Sequence, residues 1–153
     1  MKILIVEDDE IKLDKLVNFL TNTFVFEELV VRRAWKAGLR EIIDNNFSII
    51  ILDMSLPTFE IKSSEDGGIF NSFGGEEILF EMKRKRIDSK ALIVTQFENF
   101  GEGQKSISLE QLNQRLKKNF PGIYIGTVFF SASDSGWEIR MIELLKSFVE
   151  VKI

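Results

Sequence analysis

The chain of 153 residues contains no histidine and no cysteine. Their absence excludes a Ser-His-Asp or Cys-His nucleophile and a structural zinc site of the usual ligands. The chain cannot carry phosphate on a histidine, so it is not a phosphohistidine donor. What remains for chemistry is carboxylates, hydroxyls, lysines and an oxygen-ligated cation such as Mg2+. A basic excess is also missing: 20 Lys and Arg stand against 24 Asp and Glu, a net charge of −4. Attraction to nucleic acid or to an anionic membrane is therefore not expected. No apolar run approaches the roughly 18 residues of a membrane span. The apolar start Ile3-Leu4-Ile5-Val6 runs straight into Glu7-Asp8-Asp9, which reads as a strand rather than a leader peptide. With no cysteine to stabilise it outside the cell, the expected location is the cytoplasm.

The chain does contain five short apolar runs, at 3–6, 29–31, 47–52, 91–94 and 123–130. Each is followed by a stretch of helical period. Leu13, Leu16, Val17, Leu20 and Phe24 recur at steps of three and four, as do Leu109, Leu112 and Leu116, and later Ile139, Ile142, Leu145 and Val149. Ser108 with Gln111 and Ser135 with Glu138 have the spacing of capping boxes. Five alternations of strand and helix predict one doubly wound α/β domain over 1–153. Near-continuous apolar first, third and fourth runs suit central parallel strands covered on both faces.

Two connections exceed the usual length of a compact α/β unit. The first, at about 58–75, includes Asp66-Gly67 as the expected turn of a hairpin between arms bearing Phe59 and Ile61, and Ile69, Phe70 and Phe73. Its three phenylalanines suggest an ordered flap or contact surface. The second, at about 96–107, carries Gly101 and Gly103. Lys83-Arg84-Lys85-Arg86 reads as a solvated helix end. Trp137 reads as a packed aromatic at a helix start, with a partner contact as the alternative.

Ligands of open α/β sheets bind beyond the carboxyl ends of the strands, where strand order reverses. With sheet order 2-1-3-4-5, the first and third strands are neighbours. Glu7 and Asp8 then meet Asp53, with Thr95 on the next strand. Crowded carboxylates repel one another unless protonated or bridged by a cation, and Mg2+ suits their oxygen donors.

The segments Ile-Leu-Ile-Val-Glu7-Asp8-Asp9, Ile-Ile-Ile-Leu-Asp53-Met-Ser-Leu-Pro57 and Leu-Ile-Val-Thr95 resemble the receiver domains of two-component response regulators, over nearly the whole chain. The resemblance implies a flavodoxin-like (βα)5 sandwich and assigns roles. Asp53 matches the phosphoacceptor, which becomes an aspartyl phosphate. Asp8 and Asp53 match direct Mg2+ ligands, Glu7 a ligand through water, and Ser55 a ligand through its backbone carbonyl. Thr95 matches the switch hydroxyl, which reports the phosphoryl group to the face built by the fourth and fifth helices and the fifth strand. The implied partners are a sensor histidine kinase or phosphotransfer protein and an unidentified downstream protein, since no output domain is expected after the last helix.

One departure stands out. Receivers carry a lysine after the fifth strand, where this chain has Ser131. The aromatic switch position would fall at Val128. An ammonium near 4 Å from an anion contributes on the order of 4 kcal/mol at an effective dielectric of about 20. Its loss is expected to slow phosphorylation or uncouple it, unless Lys105 or Lys62 on the long loops replaces it. Two readings are open: an atypical stand-alone receiver phosphorylated on Asp53, and a pseudo-receiver that binds partners without phosphate. A metal-dependent hydrolase ranks below both, because Asp53-Met54-Ser55 lacks a second acid. No enzymatic turnover is expected beyond slow self-phosphorylation and self-dephosphorylation.

Overall fold

A computed structural model describes residues 1–59 and 70–153. In chain order the main sheet is built from β1 (Lys2–Val6), β2 (Glu28–Arg32), β3 (Ile49–Leu52), β6 (Lys90–Thr95) and β9 (Tyr124–Phe129). All neighbours pair in parallel, in the order β2-β1-β3-β6-β9. This is the doubly wound, flavodoxin-like order expected from the sequence. Helices α1 (Glu10–Thr23), α2 (Trp35–Asp44), α3 (Gly74–Arg84), α4 (Leu109–Asn119) and α5 (Gly136–Leu145) fill the connections and the chain end.

Alternation along the strands divides the core into two layers. Leu4, Val6, Ile50, Leu52, Ala91 and Ile93 pack with Ile42 of α2, Ile78 and Leu79 of α3, and Leu112 and Leu116 of α4. Ile3, Ile5, Ile49, Ile51, Leu92 and Val94 face the other way, onto Leu13, Leu16 and Leu20 of α1 and Trp137, Met141 and Leu145 of α5. Covered on both sides, β1 beyond Lys2 and all of β3 are apolar, and Ile3 to Val6 are fully buried.

The first long connection closes on an antiparallel pair, β4 (Leu56–Pro57) with β5 (Phe70–Asn71). The expected hairpin turn at Asp66-Gly67, with Ile61 and Ile69, lies outside the described residues. Phe59 is exposed, with the Lys36 ammonium 4.7 Å from its ring centre. The second connection is ordered by β7 (Asn99–Phe100) against β8 (Ile107–Ser108), which brings Phe100 into the core.

One local expectation needs correction and the others are met. Ser108 and Gln111 form a full capping box at the start of α4. Ser135 makes no side-chain cap at α5; the Asp134 carboxylate accepts the Gly136 N–H at 3.0 Å instead. Trp137 is buried against Phe19 and Phe130, with ring centres 5.1 Å away in both cases, so it is core and does not offer a partner contact. At the end of α3, Arg84 pairs with Glu81, and Lys83 donates to the Asn119 carbonyl.

Candidate functional site

The reversal of strand order falls between β1 and β3, so Glu7 and Asp8 follow one strand and Asp53 its neighbour. Parallel pairing continues into both loops: Asp53 N–H donates to the Val6 carbonyl at 3.0 Å, and Glu7 N–H to the Arg32 carbonyl at 3.0 Å. One carboxylate oxygen from each of Glu7, Asp8 and Asp53 lies within 4.8 Å of the others. Asp9 takes a different task. Its side chain caps α1 by accepting the Lys12 N–H at 2.8 Å.

Asp53 is held by close packing from α3. Gly75 N–H donates to the Met54 carbonyl at 2.9 Å, and a Cβ on Gly75 would lie 2.5 Å from the Asp53 carbonyl oxygen. Only glycine permits that approach. Ser55 is buried and its hydroxyl donates to the Ser72 carbonyl at 3.3 Å. Thr95, the last residue of β6, is fully buried, and its hydroxyl oxygen accepts the Phe97 N–H at 3.2 Å.

The cation at this site comes from the first turn of α1, which sequence reasoning missed. Lys12, only 1% exposed, directs its ammonium to Glu7 Oε1 at 2.5 Å, the Val94 carbonyl at 2.8 Å and Asp53 Oδ2 at 3.3 Å. It is the third residue of α1, and helical side chains lean toward the helix N-terminus. From the first turn, that lean carries the ammonium back over the strand ends. Lys105, one of the two expected replacements, is exposed on a short 3-10 turn, and Lys62 lies outside the described residues.

A signal for Lys12 is present in the sequence. Lys12, Leu16 and Leu20 follow one another at steps of four, so the lysine occupies the apolar stripe of α1. A charge on that stripe needs a buried partner.

Burial, and then the Asp53 charge, push the Glu7 carboxyl up to about 8, while Lys12 pulls in the opposite direction. Asp8 is raised for the same two reasons, burial first. Three carboxyl groups gather beside the Lys12 ammonium, and the Arg33 guanidinium donates to the Asp8 carbonyl at 2.8 Å. Asp53 Oδ1 is buried and has no hydrogen-bond partner among the described residues. An unpartnered carboxylate oxygen within this all-oxygen cluster of Glu7, Asp8 and Asp53 makes a group that could hold a hard divalent cation.

At the opposite corner, pairing of Thr95 with Phe129 sets the position of the loop after β9. Phe129 is 42% exposed, Phe130 is buried, and the Ser131 hydroxyl is hydrogen-bonded to that of Ser133 at 3.0 Å. Val128 is fully buried. The β9 register shifts near Gly126, which adopts φ +152°.

No family model matches the chain. It is 33% identical over 139 residues to the uncharacterized protein y4jR of Sinorhizobium fredii (strain NBRC 101917 / NGR234), covering 90% of this chain and 92% of that one. It is 26% identical to the Detocs response regulatory protein DtcB of Enterobacter cloacae (strain JD6301), over 94% of this chain and 97% of the relative. Among solved structures, a CheY-like response regulator receiver domain protein from Methanospirillum hungatei JF-1 superposes with a TM-score of 0.60 at 24% identity, covering 95% and 90% of the two chains. The chain belongs to the response-regulator receiver family. Among the described residues, no helix is long and apolar enough to cross a membrane.

Proposed function

We propose that this receiver accepts a phosphoryl group on Asp53 and signals through contacts with other proteins. The observation that carries this reading is Asp53 itself: a buried carboxylate at a strand end, one oxygen engaged by Lys12 and the other, Oδ1, without a hydrogen-bond partner among the described residues. In the transfer, an Asp53 carboxylate oxygen forms a bond to phosphorus. The P–N bond of a kinase or phosphotransfer-protein phosphohistidine breaks, its electron pair stays on the imidazole nitrogen, and that nitrogen takes a proton from water. In-line phosphoryl transfer demands positioning and neutralised oxygens more than covalent participation by the protein. Gly75 and the β3 pairing supply the positioning.

Bound Mg2+ would neutralise phosphoryl oxygens, held by Asp8 and Asp53, with Glu7 acting through water and Ser55 through its carbonyl. Thr95, buried at the end of β6, is the hydroxyl that would respond to the new anion. The protein forms and hydrolyses its own phosphoaspartate at most slowly, and its phosphodonor is a sensor kinase or phosphotransfer protein. Similarity to the Detocs response regulatory protein agrees with a signalling role.

Incubation with Mg2+ and a small-molecule phosphodonor should add one phosphoryl group to the intact mass, and Asp53→Asn should abolish the adduct. No adduct, from such a donor or from a panel of kinases, would instead support a pseudo-receiver that binds partners without phosphate.

A further inference from the structure

Lys12 is a costly residue to keep where it is. An ammonium removed from water needs compensation for several kcal/mol of lost hydration, and a neutral helix former would fill the stripe without that cost. Three oxygens surround its ammonium at unequal distances. Glu7 Oε1 at 2.5 Å and the Val94 carbonyl at 2.8 Å hold the ammonium, while Asp53 Oδ2 at 3.3 Å is the most distant of the three. Glu7 is itself fixed, its second oxygen accepting the Asp9 N–H at 3.1 Å. The two short contacts anchor the lysine, and the long one leaves Asp53 the partner most easily exchanged.

Resting on the phosphoacceptor reading of Asp53, we propose that Lys12 of α1 is the cation of the phosphoryl site, in place of a lysine after the last strand. It pairs with Asp53 before transfer and with a phosphoryl oxygen afterwards, remaining on Glu7 and Val94 throughout. No bond to Lys12 forms or breaks; its ammonium exchanges one acceptor for another. The pull of the phosphoryl group then acts on the first turn of α1 and the end of β6, next to Thr95, and not on the loop after β9. Glu7 becomes the residue that positions Lys12, beyond any role toward a metal.

The test separates this proposal from the phosphoacceptor reading. Wild type, Lys12→Gln and Asp53→Asn are titrated with Mg2+ and then treated with acetyl phosphate, and intact mass is followed over time. Removing a positive charge from among the carboxylates should tighten Mg2+ binding about tenfold. Phosphorylation at saturating Mg2+ should nevertheless slow by about 100-fold, the size of effect seen when one preorganised donor to a developing anion is removed. A lysine that merely supports the fold would not move these two readouts in opposite directions.

Equal phosphorylation rates in wild type and Lys12→Gln would overturn the proposal and leave Asp53 as acceptor. No adduct on wild type would overturn both, since the lysine would have no phosphoryl group to pair with. If Lys12→Gln does not fold, wild type labelled with 15N-lysine gives the answer. Its solvent-protected ammonium resonance should shift on treatment with acetyl phosphate and Mg2+, and should stay unmoved in Asp53→Asn. An unmoved resonance in phosphorylated wild type would overturn the proposal.

Discussion

The two corners at the carboxyl end of the sheet differ in kind. At the β1–β3 corner, Glu7, Asp8, Asp53 and Lys12 crowd together, three of the four almost fully buried. At the β9 corner the corresponding loop offers Phe129, a buried Phe130 packed on Trp137, and serines hydrogen-bonded to each other. The buried ammonium is found at the first corner, brought by a helix. On the proposal made for Lys12, it does from α1 what the resemblance to receivers would give to a lysine after β9. The first turn of α1 serves because side chains there lean back over the strand ends.

The contrast between the corners can be broken most severely at Asp53. Asp53→Asn should eliminate the phosphoryl adduct completely, as read by intact mass. The next largest effect separates the corners by stability. Lys12→Ala leaves buried carboxylates uncompensated and should cost about 3–5 kcal/mol in metal-free denaturant unfolding. Ser131→Ala, at the other corner, should stay within about 0.5 kcal/mol. Added Mg2+ should recover part of the Lys12→Ala loss, as expected for a ligand that favours the folded state.

A smaller change probes the packing that fixes Asp53. Gly75→Ala places a methyl 2.5 Å from the Asp53 carbonyl oxygen, a backbone atom that cannot rotate away. It should cost about 1–3 kcal/mol in thermal unfolding and slow phosphorylation as well. The smallest effect sharpens the contrast at the two helix starts. Ser108→Ala removes a formed capping box and should cost about 1 kcal/mol. Ser135→Ala removes no side-chain cap and should be close to neutral.

Strand order and the acidic cluster are legible in the sequence because each rests on a short-range pattern. Fully apolar runs mark strands buried on both faces, and the acids stand directly after them. Lys12 is less visible because its charge reaches the site from a helix, not from a strand end or a long loop. The apolar period of α1 can be counted from its leucines alone, and the lysine that interrupts the stripe then passes as solvated. The β9 corner is hard to read for a different reason. The register shift near Gly126 changes which residue is level with Thr95, and no local pattern announces it. At α5, the Ser135–Glu138 spacing suggests a cap, but Asp134 competes for the same N-terminal amides and takes Gly136. Trp137 is buried because Phe19 and Phe130, distant in sequence, meet there.

The most direct test compares initial phosphorylation rates of Lys12→Gln and Ser131→Ala with wild type, at saturating Mg2+ and equal acetyl phosphate, by intact mass. If Lys12 is the cation of the site, the rate falls about 100-fold in Lys12→Gln and stays at the wild-type value in Ser131→Ala. A wild-type rate for Lys12→Gln, or a matching loss in Ser131→Ala, would contradict that role.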